Sequence, residues 1–157
     1  MLTDKQKYNI YLICKKVCDI LSIVMPEIVF ERNEFFSTTT TMALTKLEKD
    51  KANKVYIDPS IEFNPSIVFV VAHELRHVYQ SYNQKDDFET YVNSADTSNE
   101  TYNLQFVELD ANAFGIIMQQ YLTGTRPVIP FNENIRIEIY KREIELINSE
   151  LSFLIKE

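Results

Sequence analysis

The sequence predicts an α+β fold in which a small sheet of short strands is flanked by helices. Three observations predict it. Apolar residues recur at helical spacing in several separate segments, short β-prone runs fall only in the first half of the chain, and helix-start and helix-stop residues stand where the period changes. The chain has 157 residues, enough to bury a core without disulfide staples, and a single domain spanning 1–157 is expected.

Taken in order, Ile10, Cys14, Val17, Leu21 and Val24 repeat with helical spacing, so a first helix is expected over residues 4–25, closed by Pro26. Cys14 and Cys18 lie one turn apart on it. A CxxxC without a partner His or Cys nearby reads as core packing. Residues 28–31 read as a short strand, and the threonine-rich run 38–46 and the run 55–58 as two more, with polar residues 48–54 as the hairpin loop between them. Asn64-Pro65 starts a central helix that runs to about residue 83, because asparagine caps free amides and proline is tolerated in a first turn. Its opening run, residues 67–72, is almost wholly apolar, as expected of a helix that enters the interior.

Residues 84–99 are polar and show no period. Thr97 followed by Glu100 makes a capping box for a helix ending near Gly124, and Pro127 and Pro130 form the next break. Ile137, Tyr140, Ile144, Ile147, Leu151 and Leu154 alternate intervals of three and four, which predicts a last amphipathic helix. Its opening, 135–140, also alternates like a strand.

Hydrophobic residues at 45% and charged residues at 25% match a folded protein and not a disordered tail. Sixteen Lys plus Arg against 23 Asp plus Glu give a net charge of -7 with no local basic patch, which argues against direct binding of nucleic acid. Residues 1–7 carry charge and no apolar signal-peptide core, and no segment approaches the roughly 20 apolar residues of a membrane helix. A cytoplasmic location without a membrane partner is the expectation.

The chemistry sits in the central helix, at His73-Glu74-Leu75-Arg76-His77. This is an HExxH motif, in which the two histidines lie one turn apart on the same face and can reach one zinc ion. Glu74 is displaced around the helix, so its carboxylate can approach a zinc-bound water as general base without becoming a ligand. The motif follows an apolar run, where unpaired imidazoles would be costly and a shared cation would satisfy them. The chain has only two histidines, both in this motif, which leaves the third protein ligand to a carboxylate.

Glu108 is that candidate. Glu108, Ala111, Asn112 and Gly115 share a helical face by their spacing, and the small residues let this helix press against the central one. Asp110 points about 200° away at about 100° per residue, so it is not expected at the same ion. Asn112, one turn beyond Glu108, is a candidate to accept the free N–H of a ligand histidine.

An HExxH helix followed by a glutamate-bearing helix resembles the gluzincin metallopeptidases, and more narrowly the ImmA/IrrE family. That family pairs HExxH with a segment of the form E-x-E-A-N-x-F-A, matched here by Glu108-Leu109-Asp110-Ala111-Asn112-Ala113-Phe114-Gly115. The resemblance covers residues 64–122. It departs where Arg76 replaces a common glycine, where Gly115 replaces the final alanine, and in lacking a Leu-Leu-Met-Pro ending. It implies a zincin-like fold with an HExxH active-site helix, a zinc metallo-endopeptidase activity, and a regulatory DNA-binding protein as substrate, although no helix-turn-helix is present in this chain.

Peptide hydrolysis also needs a donor for the oxyanion, and without a third histidine the candidates are Tyr91, Tyr102 and Arg126. A protein or peptide substrate could add a strand to an exposed sheet edge, for which 39–45 is the candidate. The rival readings are a catalytically silent interaction module that keeps zinc structurally, and a zinc hydrolase acting on something other than peptides. An intact Glu74 counts against the silent module.

Overall fold

Thr3 opens the first helix with a capping box: its hydroxyl accepts the Gln6 N–H at 3.1 Å, and the Gln6 side chain accepts the Thr3 N–H at 2.9 Å. In the computed structural model, which describes residues 1–36, 38, 40–47 and 53–155, this helix is α1 (Asp4–Leu21). It ends four residues short of the expected position. Ser22 turns into the left-handed region at φ 55°, and the Ile23 N–H closes on the Cys18 carbonyl, so the chain leaves the helix before Pro26 can decide the matter. Val24 is consequently 87% exposed, while Ile10, Cys14, Val17, Cys18 and Leu21 are buried. Both cysteines are free thiols in the core, as their spacing predicts.

Three short strands form a mixed sheet of order β1-β3-β2. β1 (Glu27–Val29) runs parallel to β3 (Lys54–Ile57), pairing Ile28 with Val55; β2 (Ala43–Lys46) runs antiparallel to β3, pairing Thr45 with Val55. The hairpin expected between the last two runs is thus present as a strand pair, though residues 48–52 of its loop lie outside the described residues. β2 is shorter than the expected 38–46. Arg32 donates to the carbonyls of Thr38 and Thr41 and to Asp58, and the Thr38 hydroxyl accepts the Thr41 N–H, while residue 39 lies outside the described residues.

The central helix is α2 (Ser66–Asn83). Asn64 caps it as expected, its Oδ1 accepting the Ser66 N–H at 2.9 Å and its carbonyl the Ile67 N–H at 3.0 Å. The polar stretch that follows is not featureless. It holds α3 (Lys85–Glu89) and a 3-10 turn at Ser94–Asp96, and the Gln105 side chain ties it down by accepting the Val92 N–H and donating to the Val92 carbonyl.

The helix expected from Thr97 to Gly124 is two helices, α4 (Asn99–Leu104) and α5 (Phe106–Thr123). The cap of the first is Ser98, whose hydroxyl accepts the Thr101 N–H, and not Thr97. Gln105 breaks the run with an extended ψ of 141°, and its carbonyl then accepts the N–H groups of Glu108 and Leu109 to start α5. That break places Glu108 in a first helical turn. Gly124 ends α5 at φ 73°, as its position predicts.

The last helix, α6 (Glu133–Ile147), is capped by Asn132, so 135–140 is helical and not a strand. Its buried face is not the expected one. Ile135, Ile139, Glu143 and Leu146 face inward, while Ile137, Tyr140 and Ile144 are 45%, 58% and 44% exposed.

The core lies where α2 packs against α1, the sheet and α5, with α6 closing the other side of α5. A methyl group on Gly115 would stand 2.8 Å from Phe69 Cδ2 and 2.9 Å from its carbonyl oxygen, so this position fixes how closely α2 and α5 approach. Among the described residues no helix is long and apolar enough to cross a membrane.

Candidate metal centre

Because His73 and His77 are one turn apart on α2, and the break at Gln105 turns the first residues of α5 toward them, three donors meet at the α2–α5 seam. His73 Nε2 and His77 Nε2 are 3.1 Å apart; His73 Nε2 is 3.3 Å from Glu108 Oε2 and His77 Nε2 is 3.4 Å from Glu108 Oε1. Ligand atoms at the corners of a tetrahedron, about 2.0–2.1 Å from a zinc ion, stand about 3.3 Å from one another. The three residues form a group that could hold a metal ion.

The surroundings treat the three donors differently. His77 Nδ1 meets Gln80 Oε1 at 2.8 Å, whereas the buried His73 Nδ1 has no hydrogen-bond partner. Glu108 is buried, and its Oε1 accepts from the Tyr102 hydroxyl at 2.7 Å and lies 3.1 Å from the Tyr91 hydroxyl, which is itself 2.8 Å from that of Tyr102. Phe69 tilts toward His73 and Phe88 meets His77 edge-on, so aromatic rings flank the imidazoles.

Glu74 is held by the sheet. Thr45 on β2 places its hydroxyl 2.5 Å from Glu74 Oε2 and 2.9 Å from the Glu74 carbonyl oxygen, so the edge strand donates a proton to this carboxylate region. Asp110 faces away from the histidines, as helical geometry predicts. It accepts two hydrogen bonds from the fully buried Arg76, one from Gln80 and one from Arg142, and Arg76 also pairs with Glu150. Arg76 thus carries a buried ionic network behind the histidine-bearing face of α2.

Two expected partners are not at the site. Asn112 is buried on α5 but bonds neither histidine, and its Nδ2 has no partner; Gln80 occupies the role expected of it on His77. Arg126 follows the C-terminal end of α5, and its guanidinium bonds Gln120 Oε1, more than about three helical turns beyond Glu108. Its guanidinium is taken by both oxygens of Glu143.

The electrostatics follow from this packing. Burial disfavours an imidazolium at His77, but the Glu108 carboxylate beside it, together with Glu74 and Gln80, outweighs burial and raises its pKa to about 9. Burial opposes ionisation of Glu108, and the two histidines outweigh it, holding that carboxyl well below its usual range. Its place in the first turn of α5 favours the anion further. Tyr91 and Tyr102 are both pushed up, by burial first and by the Glu108 charge second, so they remain neutral donors.

Sequence reading misses Gln80 and Thr45. Gln80 has a local signal, since it follows His77 by three residues on one helix face. Thr45 has none, because it reaches Glu74 only through the tertiary fold. No protein-family model, no curated protein and no solved structure matches this chain.

Proposed function

We propose that the chain is a zinc metallo-endopeptidase of zincin-like design, resembling the ImmA/IrrE group in its motif. The observation that carries the reading is the convergence of His73, His77 and Glu108 at spacings suited to one ion, with the carboxylate of Glu74 on the next helical position. Zinc held there would supply Lewis acidity, polarising a carbonyl and making a water more acidic.

The chain's own residues supply the rest. Glu74 accepts a proton from the attacking water and passes it to the leaving amine. Thr45 fixes Oε2 of that carboxylate and leaves Oε1 to work. Tyr102 donates to the Glu108 carboxylate at 2.7 Å, while the single proton of Tyr91 is divided between Tyr102 and the longer 3.1 Å contact to Glu108, so Tyr91 is the better oxyanion donor of the pair.

The substrate is a protein or peptide, and we place it on β2. The Asp58 N–H bonds the Met42 carbonyl, so in the antiparallel ladder Leu44 and Lys46 turn their main-chain groups toward β3, while those of Ala43 and Thr45 point to the outer edge. Residue 39 of the expected edge lies outside the described residues. A regulatory protein as substrate, acting in the cytoplasm without contact to nucleic acid or membrane, completes the proposal.

Metal analysis and a peptide-library cleavage screen test it. About one zinc per chain is expected, and Glu74→Gln should keep zinc while hydrolysis falls by about 10² to 10⁴-fold, because an amide preserves shape but cannot take the proton. Turnover by Glu74→Gln within a few-fold of wild type would sink the mechanism. Zinc-loaded protein that cleaves nothing, yet binds a protein partner equally in both forms, would put the silent interaction module in its place.

A further inference from the structure

The two histidines of the site differ in what holds their outer nitrogens, and the difference traces to one amide. Gln80 is fully buried one turn beyond His77. Its Nε2 donates to the Val107 carbonyl at 2.9 Å and to Asp110 Oδ2 at 2.8 Å. Both of these partners are acceptors that cannot donate: a main-chain carbonyl, and a carboxylate ionised by Arg76 and Arg142. They use both amide hydrogens, so the Gln80 side chain cannot flip without setting its oxygen against two acceptors. Oε1 must therefore face His77, where it lies 2.8 Å from Nδ1 and can only accept.

We infer that Gln80 is a positioning residue for the metal centre: it locks His77 as the Nδ1–H tautomer and so presents the Nε2 lone pair to the ion. The inference rests on the metal reading of His73, His77 and Glu108. The orientation originates in the buried ionic network, since Asp110 is held by two arginines and passes its demand for a donor through Gln80 to the imidazole. His73 has no such lock, because its Nδ1 meets no partner. His77 is the pre-set ligand and His73 the one that adjusts, although the two are equal members of the sequence motif.

With only two histidines in the chain, the ring-nitrogen spectrum of 15N-histidine-labelled protein is readable. In metal-free protein, at a pH high enough that both imidazoles are neutral, two-bond 1H–15N correlations should show His77 protonated at Nδ1. In Gln80→Met, which keeps the unbranched shape but offers no acceptor, His77 should shift toward the Nε2–H form that a free neutral imidazole prefers. Zinc affinity, measured by competition with a chromophoric chelator, should fall about 10- to 100-fold in Gln80→Met.

Wild-type His77 found as the Nε2–H tautomer overturns the inference without recourse to any variant. So does zinc affinity in Gln80→Met within about twofold of wild type. Wild-type protein that takes up no zinc at all overturns the metal centre and this inference with it, whereas zinc bound equally by wild type and Gln80→Met overturns this inference alone.

Discussion

Glu108 and Asp110 are two residues apart on α5, 2% and 0% exposed, and they are neutralised in opposite ways. Asp110 has its counter-charge built in: the guanidinium groups of Arg76 and Arg142 both bond it, at 2.7–3.0 Å and 2.8 Å. Glu108 has no lysine or arginine among its described partners, only two phenol hydroxyls and two imidazoles. A buried carboxylate without a counter-charge is costly, so this one must draw on either a proton carried by His77 or an external cation. The lesson is that burial of an acid does not by itself mark a site. Asp110 is part of the framework, and Glu108 belongs to the group that could hold a metal ion.

The sharpest way to break that comparison is to remove each acid in turn. Glu108→Ala, like His73→Ala and His77→Ala, should take zinc from about one per chain to none while circular dichroism shows the fold intact, because each deletes one of three ligands. Asp110→Ala should instead lower stability. Zinc lost from a folded Asp110→Ala but kept by Glu108→Ala would exchange the two roles.

A second test addresses the framework side. Arg76→Met leaves Asp110 and Glu150 facing a neutral side chain, and breaking a buried pair from one side costs about 3–5 kcal/mol. Urea denaturation should show a loss of that order. A loss below about 1 kcal/mol would mean that Arg142 alone neutralises Asp110.

A third expected effect is a pH dependence set by the proton that the metal-free protein holds at His77. His77 is raised from 6.5 to about 9, so the proton it shares with Glu108 stabilises the fold fully below pH 6.5, and that contribution is lost as pH rises through about 9. Zinc must displace the same proton. Its affinity should therefore rise about tenfold per pH unit below 9, on competition titration, while the melting temperature of the metal-free protein falls over the window from 6.5 to 9. A zinc affinity flat across that window would mean that no such proton is present.

Much of this arrangement is legible in the sequence because it rests on local rules. The two histidines, the cap at Asn64, the stop at Gly124 and the choice of Glu108 over Asp110 all follow from helical spacing and terminal residues. What escapes the sequence depends on long-range polar pairs. On α6, Glu143 counts as a solvent-facing charge until Arg126, a distant residue, neutralises it and lets its face turn inward with Ile135, Ile139 and Leu146. The stripe of Ile137, Tyr140 and Ile144 has the better period but stays 45%, 58% and 44% exposed. Gln105 breaks a helix with neither glycine nor proline, because its amide finds the main chain of Val92 across a loop. Arg76 looks like a surface residue of the motif for the same reason, its partners being at Asp110 and Glu150.

The two thiols of α1 give the molecule a chemical clock that needs no label. Cys14 and Cys18 are sealed in the core, and burial pushes Cys18 up to about 11 and Cys14 further still. Alkylating reagents attack the thiolate and need access to it, so neither sulfur can react until α1 leaves α2. Reaction with a maleimide therefore counts separations of α1 from α2. Any cation that binds only the closed form slows that count by the factor 1 + [L]/Kd, which lets the cysteines report occupancy of a centre they do not touch.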